Sequence, residues 1–328
     1  MAIIKSPHYG IKKKYSKLDY KYTIKPEDFE KIVGQKISLN LSKFIRKLNL
    51  KYRHLALNEE KTHQKEINKI LNSKIVPSGV KRKKVWETGW NDILNNYKKT
   101  RRLNSLLPHY YKKGKTIMRF NKKYILPEIN NFEATFLRIL QIYIVENFIY
   151  KNKNIYEFGC GTGHNLLAMS KILNDKSFYG LDWSRNSQKI IKLINHYNSN
   201  KNKNIFIGKN FNFFKINQNY MIKKNSACLT WGGLEQIGKN FRYILNFFLK
   251  SNFDIIVNIE PFNEIYQTKS KFDSNGLRYH NKRNYLFNYY KKIKRLEDKK
   301  KIKILKFKRI IGSAFHDGWN ILVFKKLK

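Results

Sequence analysis

Three glycines at alternate positions, Gly159, Gly161 and Gly163, follow the apolar run Ile155-Tyr156-Glu157-Phe158 in a chain of 328 residues. The run carries an acid, Glu157, near its end, and His164-Asn165-Leu166-Leu167 opens a helical pattern directly after the glycines. Strand, tight loop and helix are therefore expected in that order. Glycine allows φ > 0 and leaves no side chain between the backbone and a ligand. The first turn of the helix offers free N–H groups to whatever fills the loop. The chemistry of such a loop is the holding of a nucleotide or nucleoside, and the spacing excludes two versions of it. A dinucleotide fingerprint needs G-x-G-x-x-G, but the sixth position is His164 counted from Gly159 and Leu166 counted from Gly161. A Walker loop needs Gly-Lys-Ser/Thr, but His164-Asn165 follow Gly163. An ordinary glycine-rich connection between strand and helix has the same appearance when it stands alone.

It does not stand alone. Phe178-Tyr179-Gly180-Leu181-Asp182 is a second apolar run ending in an acid, about 20 residues beyond the loop and one helix later. In a βαβ unit, Asp182 falls at the carboxyl end of the neighbouring strand, where a carboxylate can accept both hydroxyls of a ribose. Without the glycine loop upstream, Asp182 reads as a cap for the helical segment that starts at Ser184.

The strand-end acid, the G-x-G-x-G loop and the second acid one strand later resemble motif I and its sequel in the class I S-adenosylmethionine (AdoMet) methyltransferases. The resemblance covers about residues 126–328. It implies a Rossmann-like, mostly parallel seven-stranded sheet with an antiparallel last strand, and AdoMet as cofactor. The loop of Gly159, Cys160, Gly161 and Gly163, with Asn165 opening the helix, would wrap the amino-acid end of AdoMet, and Glu157 would lie near its ammonium. Asp182 and Trp183 would face the nucleoside. Many relatives place an acid near the adenine after the third strand; here Asn210-Phe211 stand there, and Asn210 can still accept through its carbonyl oxygen. Thr230 and Trp231, at the end of the fourth strand, complete the cofactor side.

The acceptor side is less determined. Ligands of open α/β sheets sit outside the carboxyl ends of the strands at the switch point, so Thr230-Trp231-Gly232-Gly233-Leu234-Glu235-Gln236 should line the site. The Asn-Pro-Pro-Tyr signature of exocyclic-amine methylation and the Pro-Cys nucleophile of cytosine C5 methylation are both absent. Candidate bases for a hydroxyl acceptor are Glu235, Glu260, His280 and His316. Each has a plainer reading: Glu235 as charge compensation at a helix start, Glu260 as a capped turn before Pro261, the histidines as structural. No set of paired acids with a histidine at metal-ligand spacing stands out. Leu234-Glu235-Gln236, Glu260-Pro261 and a helix opening at His280 look like bacterial methyltransferases of surface-sugar or metabolite pathways.

The elements that must position these residues read as follows. A helix over 131–150, with Phe132, Phe136, Ile139, Leu140, Tyr143 and Phe148 at helical spacing, precedes the first strand. Ile205-Phe206-Ile207, Ser226 to Trp231 and Phe253 to Glu260 are the third, fourth and fifth strands. The stretch 299–311 alternates lysine with apolar residues as a half-exposed strand does, and 319–324 returns as its hairpin partner. Residues 1–125 read as a separate, basic and mainly helical region. Pro26 opens one helix and Leu41, Phe44, Ile45 and Leu48 stripe the next. Residues 59–71 form a polar helix, and Trp86, Trp90, Ile93, Leu94 and Tyr97 share a helical face that suits a core stripe. Arg101-Arg102 and Lys112-Lys113 flank the aromatic segment Leu106 to Tyr111, which reads as a solvated connector able to touch an anion.

The net charge of +45 splits into +23 over residues 1–125 and +22 over 126–328. A basic excess of this size suits polyanion partners, although Lys, Asn, Ile, Tyr and Phe are together what A/T-only codons encode. The two cysteines, Cys160 and Cys228, suit reduced thiols in a cytoplasmic protein. No apolar run reaches membrane-spanning length, and 1–7 lacks the apolar segment of a secretory signal. The expectation is methyl transfer from AdoMet to a small-molecule or carbohydrate acceptor, at oxygen. The alternatives are an RNA or DNA methyltransferase that holds nucleic acid on its basic N-terminal region, and a non-catalytic AdoMet-binding module.

Overall fold

One sheet of eleven strands runs through the computed structural model, which describes residues 18–111, 114–198 and 203–327. The N-terminal residues 1–7 and the pair Lys112-Lys113 lie outside the described residues. In chain order the elements are β1 (Tyr22–Thr23), α1 (Pro26–Val33), α2 (Leu39–Arg46), β2 (Lys51–His54), α3 (Leu57–Asn72) and α4 (Lys83–Thr100). Next come β3 (Met118–Phe120), β4 (Lys123–Pro127), α5 (Phe132–Ile144), β5 (Asn154–Phe158), α6 (His164–Met169), β6 (Ser177–Asp182) and α7 (Arg185–Asn198). The last third holds β7 (Ile205–Asn210), β8 (Ser226–Trp231), α8 (Arg242–Lys250), β9 (Phe253–Glu260), α9 (Lys271–Lys282), α10 (Tyr289–Asp298), β10 (Ile302–Gly312) and β11 (Trp319–Lys326).

The strand order is β1-β2-β4-β3-β10-β11-β9-β8-β5-β6-β7. From β9 to β7 the neighbours are parallel, and β11 enters antiparallel between β9 and β10. The chain steps outward from β5 to β6 and β7 on one side, then crosses back to β8 on the other. The switch point therefore lies between β5 and β8, where the carboxyl ends of the strands leave a crevice. Strands β5 and β8 are buried along their whole length, because helices cover both faces. Helices α4 to α7 pack on one face, with Phe136, Ile155, Leu166 and Ile191 in a common core. Helices α8 and α10 cover the other, around Phe158, Phe247 and Ile293.

Two expectations need correction. The sheet has eleven strands rather than seven, because β1 to β4 continue it beyond β10. For the same reason residues 18–125 are not packed as a separate region: Phe29, Leu41, Trp90 and Met118 share one core with α5 and β5. The four added strands are short, and the β3–β4 hairpin turns through Asn121 (φ 45°) and Lys122 (φ 59°). Two residues with φ > 0 make the turn that favours strand twist, and Asn tolerates that region whereas Lys rarely does. Among the described residues no helix is long and apolar enough to cross a membrane.

Candidate cofactor and acceptor site

The loop after β5 turns through three left-handed glycines, Gly159 (φ 72°), Gly161 (φ 52°) and Gly163 (φ 68°). Its shape is fixed by β6: the N–H groups of Gly159 and Cys160 donate to the Leu181 carbonyl, at 2.7 and 3.2 Å. Asp182 ties the two strand ends together. Its Oδ2 accepts from Gly161 N at 2.9 Å and its Oδ1 from Ser184 N at 2.8 Å. Burial pushes the Asp182 carboxyl up to about 6, against the pull of these two backbone donors. Ser184 caps α7 through its hydroxyl, which accepts from Asn186 N and Ser187 N.

Glu157 lies beneath the loop and is fully buried. Its Oε1 accepts from Asn165 Nδ2 at 2.7 Å, Asn165 Oδ1 accepts from Gln141 Nε2 at 2.8 Å, and Arg138 donates to Gln141. Its Oε2 is buried with no hydrogen-bond partner. Burial pushes this carboxyl up to about 8. A buried carboxylate oxygen without a donor is costly unless a ligand supplies one. Cys160, in the loop, and Cys228, in β8, are both buried free thiols.

Aromatic rings close over the loop. A Cβ built on Gly161 would stand 3.0 Å from the Trp90 ring of α4, and one built on Gly159 would stand 3.0 Å from Gly233 Cα and 3.2 Å from the Phe213 ring. Glu87, one turn before Trp90, accepts from Asn186 N through Oε1 and from Asn186 Nδ2 through its carbonyl oxygen. Helix α4 is thus seated across the mouth of the crevice. Trp183, next to Asp182, stacks on Phe214 with ring centres 5.4 Å apart. Phe211 turns inward instead, its ring 4.8 Å from that of Phe158 in the core. Asn210 is exposed and bonds the Trp183 carbonyl at 3.5 Å.

On the acceptor side the four candidate bases separate. Glu260 is fully buried and holds the turn after β8: Oε1 accepts from Gly233 N and Leu234 N at 3.0 Å each, and Oε2 from Glu235 N at 3.1 Å. Both of its oxygens are committed to the backbone. His280 lies near the end of α9, not at the start of a helix as expected, and is buried with Nε2 2.8 Å from the Leu286 carbonyl. Burial lowers it to about 4, so it is neutral at pH 7. His316 is half-buried, 3.2 Å from Ser313 Oγ through Nδ1 and stacked on Tyr279. Glu235 is half-buried at the end of the β8 loop, and its Oε1 accepts from Gln236 Nε2 at 2.8 Å. Burial pushes its carboxyl up to about 7, while the nearby charges of Arg283 and Arg82 pull it down. That is the range in which a general base works at neutral pH. Thr230 is fully buried and accepts from Asn258 Nδ2 at 2.9 Å. Trp231 is buried with its indole N–H unpartnered.

The structure brings Glu157, the glycine loop, Asn165, Asp182 and Trp183 together at the β5–β6 ends, and Glu235 with Trp231 at the β8 end. Gly233 joins this crevice as expected, and Trp90 and Phe213 are further members that sequence reasoning missed. The only advance signal for Trp90 was its place on an apolar stripe, which reads as core. A cavity lies elsewhere. It measures about 410 Å³ and lies between the ends of α4 and α6, lined by Arg101, Arg102, Asn104, Ser170, Lys171 and Asn198 among others. The crevice itself is covered by the rings of Trp90 and Phe213.

No family model matches the chain, and no curated protein matches its sequence. Among solved structures, the [4+2]-cyclase SpnF is 14% identical, with 76% of this chain and 97% of that chain covered and a TM-score of 0.47. The 16S rRNA methylase ArmA is 16% identical, with 73% and 98% covered and a TM-score of 0.44. The N,N-8-amino-8-demethyl-D-riboflavin dimethyltransferase RosA from Streptomyces davawensis is 12% identical, with a TM-score of 0.40 over 60% of this chain; the chain spans 57% of that protein's length. What these proteins act on is not carried over from likeness at this level. Parallel strands stepping outward from both sides of β5, with β11 reversed between β9 and β10, are the Rossmann-like order with an antiparallel last strand that the sequence led one to expect.

Proposed function

We propose that this chain transfers a methyl group from AdoMet to a hydroxyl oxygen of a small molecule or carbohydrate. The observation that carries the reading is the unpartnered Oε2 of Glu157, buried beneath a loop of left-handed glycines. An ammonium is the group that satisfies such an oxygen, and the loop has no room for a side chain in its place. Across the loop, Asp182 spends one lone pair of each oxygen on a backbone N–H, which leaves acceptor capacity for two ribose hydroxyls. Trp183 offers a ring face next to that carboxylate. These features fit AdoMet end to end.

When bound, AdoMet supplies an electrophilic methyl on its sulfonium. The protein's own part is to align the acceptor, exclude water and take a proton. Glu235 is the base in this reading, since Glu260 is committed to the backbone, His280 to the Leu286 carbonyl, and His316 to Ser313 and the Tyr279 ring. Trp90 and Phe213 cover the loop and exclude water from it. The buried free thiols fit a reducing, cytoplasmic setting.

The test is incubation of the full chain with methyl-labelled AdoMet and a cell extract separated into small-molecule, carbohydrate and nucleic-acid fractions. Label in a small-molecule or carbohydrate fraction supports the reading. AdoMet binding with no label in any fraction favours a binding module instead. A second reading, methylation of RNA or DNA, is favoured by the charge of +45 and by the basic cavity at Arg101, Arg102 and Lys171. It requires oligonucleotide binding that weakens steeply with salt and label in the nucleic-acid fraction.

A further inference from the structure

We infer that the acceptor carries an anionic group, a carboxylate or a phosphate, and that Arg82 and Arg283 hold it beside Glu235. The inference rests on the methyl-transfer reading of this crevice and names its substrate class. The two arginines come together because the loop before α4 is clamped to the end of α9. Ser78 N donates to the Arg283 carbonyl and Ser78 Oγ to the Asn284 carbonyl, each at 2.7 Å. Arg283 in turn donates through Nη1 to the Val76 carbonyl and through Nε to the Tyr285 hydroxyl at 3.2 Å. Arg82, four residues beyond Ser78, lies with its guanidinium 5.2 Å from the centre of the Trp86 ring.

This pair differs from the inward-facing arginines that carboxylates hold. Arg53 clasps Glu59, and Arg119 and Arg309 share Asp273 and Asp317 in a buried square of balanced charge. Arg82 and Arg283 have no carboxylate within ion-pair distance among the described residues. Arg82 Nε and Trp86 Nε1 are both buried donors without an acceptor, and two such donors side by side call for a ligand rich in acceptor oxygens. The electrostatics agree. Burial and the Arg283 charge both lower Arg82, while Glu235 alone supplies nearby negative charge, which leaves an uncompensated positive charge in the pocket. Guanidinium groups recognise carboxylate and phosphate alike. Tyr279 and Tyr285 stand beside the pair with their rings edge to face, centred 6.4 Å apart, and the Arg283 guanidinium lies 5.2 Å from the centre of the Tyr285 ring.

The experiment titrates the full chain calorimetrically with 4-hydroxybenzoate, with inorganic phosphate and with phenol, and repeats each titration on Arg82→Gln and Arg82→Lys. At least one anion should bind the natural protein, and phenol should bind about tenfold more weakly or not at all. Arg82→Gln should weaken anion binding about tenfold or more, and Arg82→Lys by less. Which anion binds tells a carboxylate acceptor from a phosphate ester. The inference is overturned if neither anion binds, if phenol binds as tightly as 4-hydroxybenzoate, or if Arg82→Gln binds like the natural protein. AdoMet titrated into the same samples separates the two readings. If the natural protein ignores AdoMet while anion binding still depends on Arg82, the methyl-transfer reading falls and the anion site stands. If Arg82→Gln keeps full AdoMet affinity, its loss of anion binding is not a loss of fold.

Discussion

Glu157 is a neutral acid in the free protein at pH 7, since burial holds it at about 8. An arriving ammonium favours its ionised form and pulls that value down. The sign follows: protonated before binding and ionised after, so AdoMet binding should release close to one proton near pH 7. Calorimetry in two buffers of different ionisation enthalpy reads this directly, and no buffer dependence would count against the ammonium contact. Asp182→Asn keeps the size of the side chain but removes its charge. It should weaken AdoMet binding by about 1.5–3 kcal/mol, roughly tenfold to a hundredfold, and an unchanged Kd would remove Asp182 from the site. Glu235 must lose its proton to act as base, and burial places that loss at about 7. Activity should therefore rise with pH through about 7, and Glu235→Gln should flatten this limb and lower kcat by about 10²–10⁴-fold. Residues of this kind were legible in the sequence where their chemistry is local. Three glycines and two strand-end acids need only neighbours in the chain to declare themselves. Glu260 and His280 were not legible, because what removes them is burial against backbone groups that the sequence cannot place.

At the scale of elements, the glycine loop and α4 are matched surfaces. Gly161 combines φ 52° with a Trp90 ring 3.0 Å from where a Cβ would be. Gly161→Ala should cost about 1–2 kcal/mol from the left-handed backbone alone, with an added loss of AdoMet affinity. Denaturant midpoints and calorimetry check the two separately. Stability equal to that of the natural protein would mean the loop relaxes freely. The parallel strands and α5 could be read in advance because each carries an apolar run or stripe set between plain turn and helix signals. Strands β1 to β4 could not. They have two to five residues each, and β3 and β4 meet in a turn that lacks the usual glycine. Trp86 and Trp90 gave a correct helical face but not its second use, since both rings also meet the site.

At the scale of the whole molecule, the N-terminal strands join the parallel core through one seam. Ile311 and Gly312 of β10 pair with Phe120 and Arg119 of β3. Arg119 then reaches Asp317 in the β10–β11 connection at 2.8 Å, and it is the largest fully buried side chain. Helix α4, with Arg82, Trp86 and Trp90, is held at the crevice by the bonds of Glu87 to Asn186 and by the clamp of Ser78 on Arg283 and Asn284. The resemblance over 126–328 therefore marked where the nucleoside chemistry sits, but not all of the chain that shapes it. Cutting the gene at residue 126 would not yield a smaller enzyme. The shortened protein would present the bare amides of β10 to its own copies, lose one of the two cations opposite Asp317 and uncover the glycine loop. It should emerge as an aggregate on size exclusion rather than as a working monomer. A soluble fragment that still bound AdoMet would mean that the added strands are an ornament on an independent core.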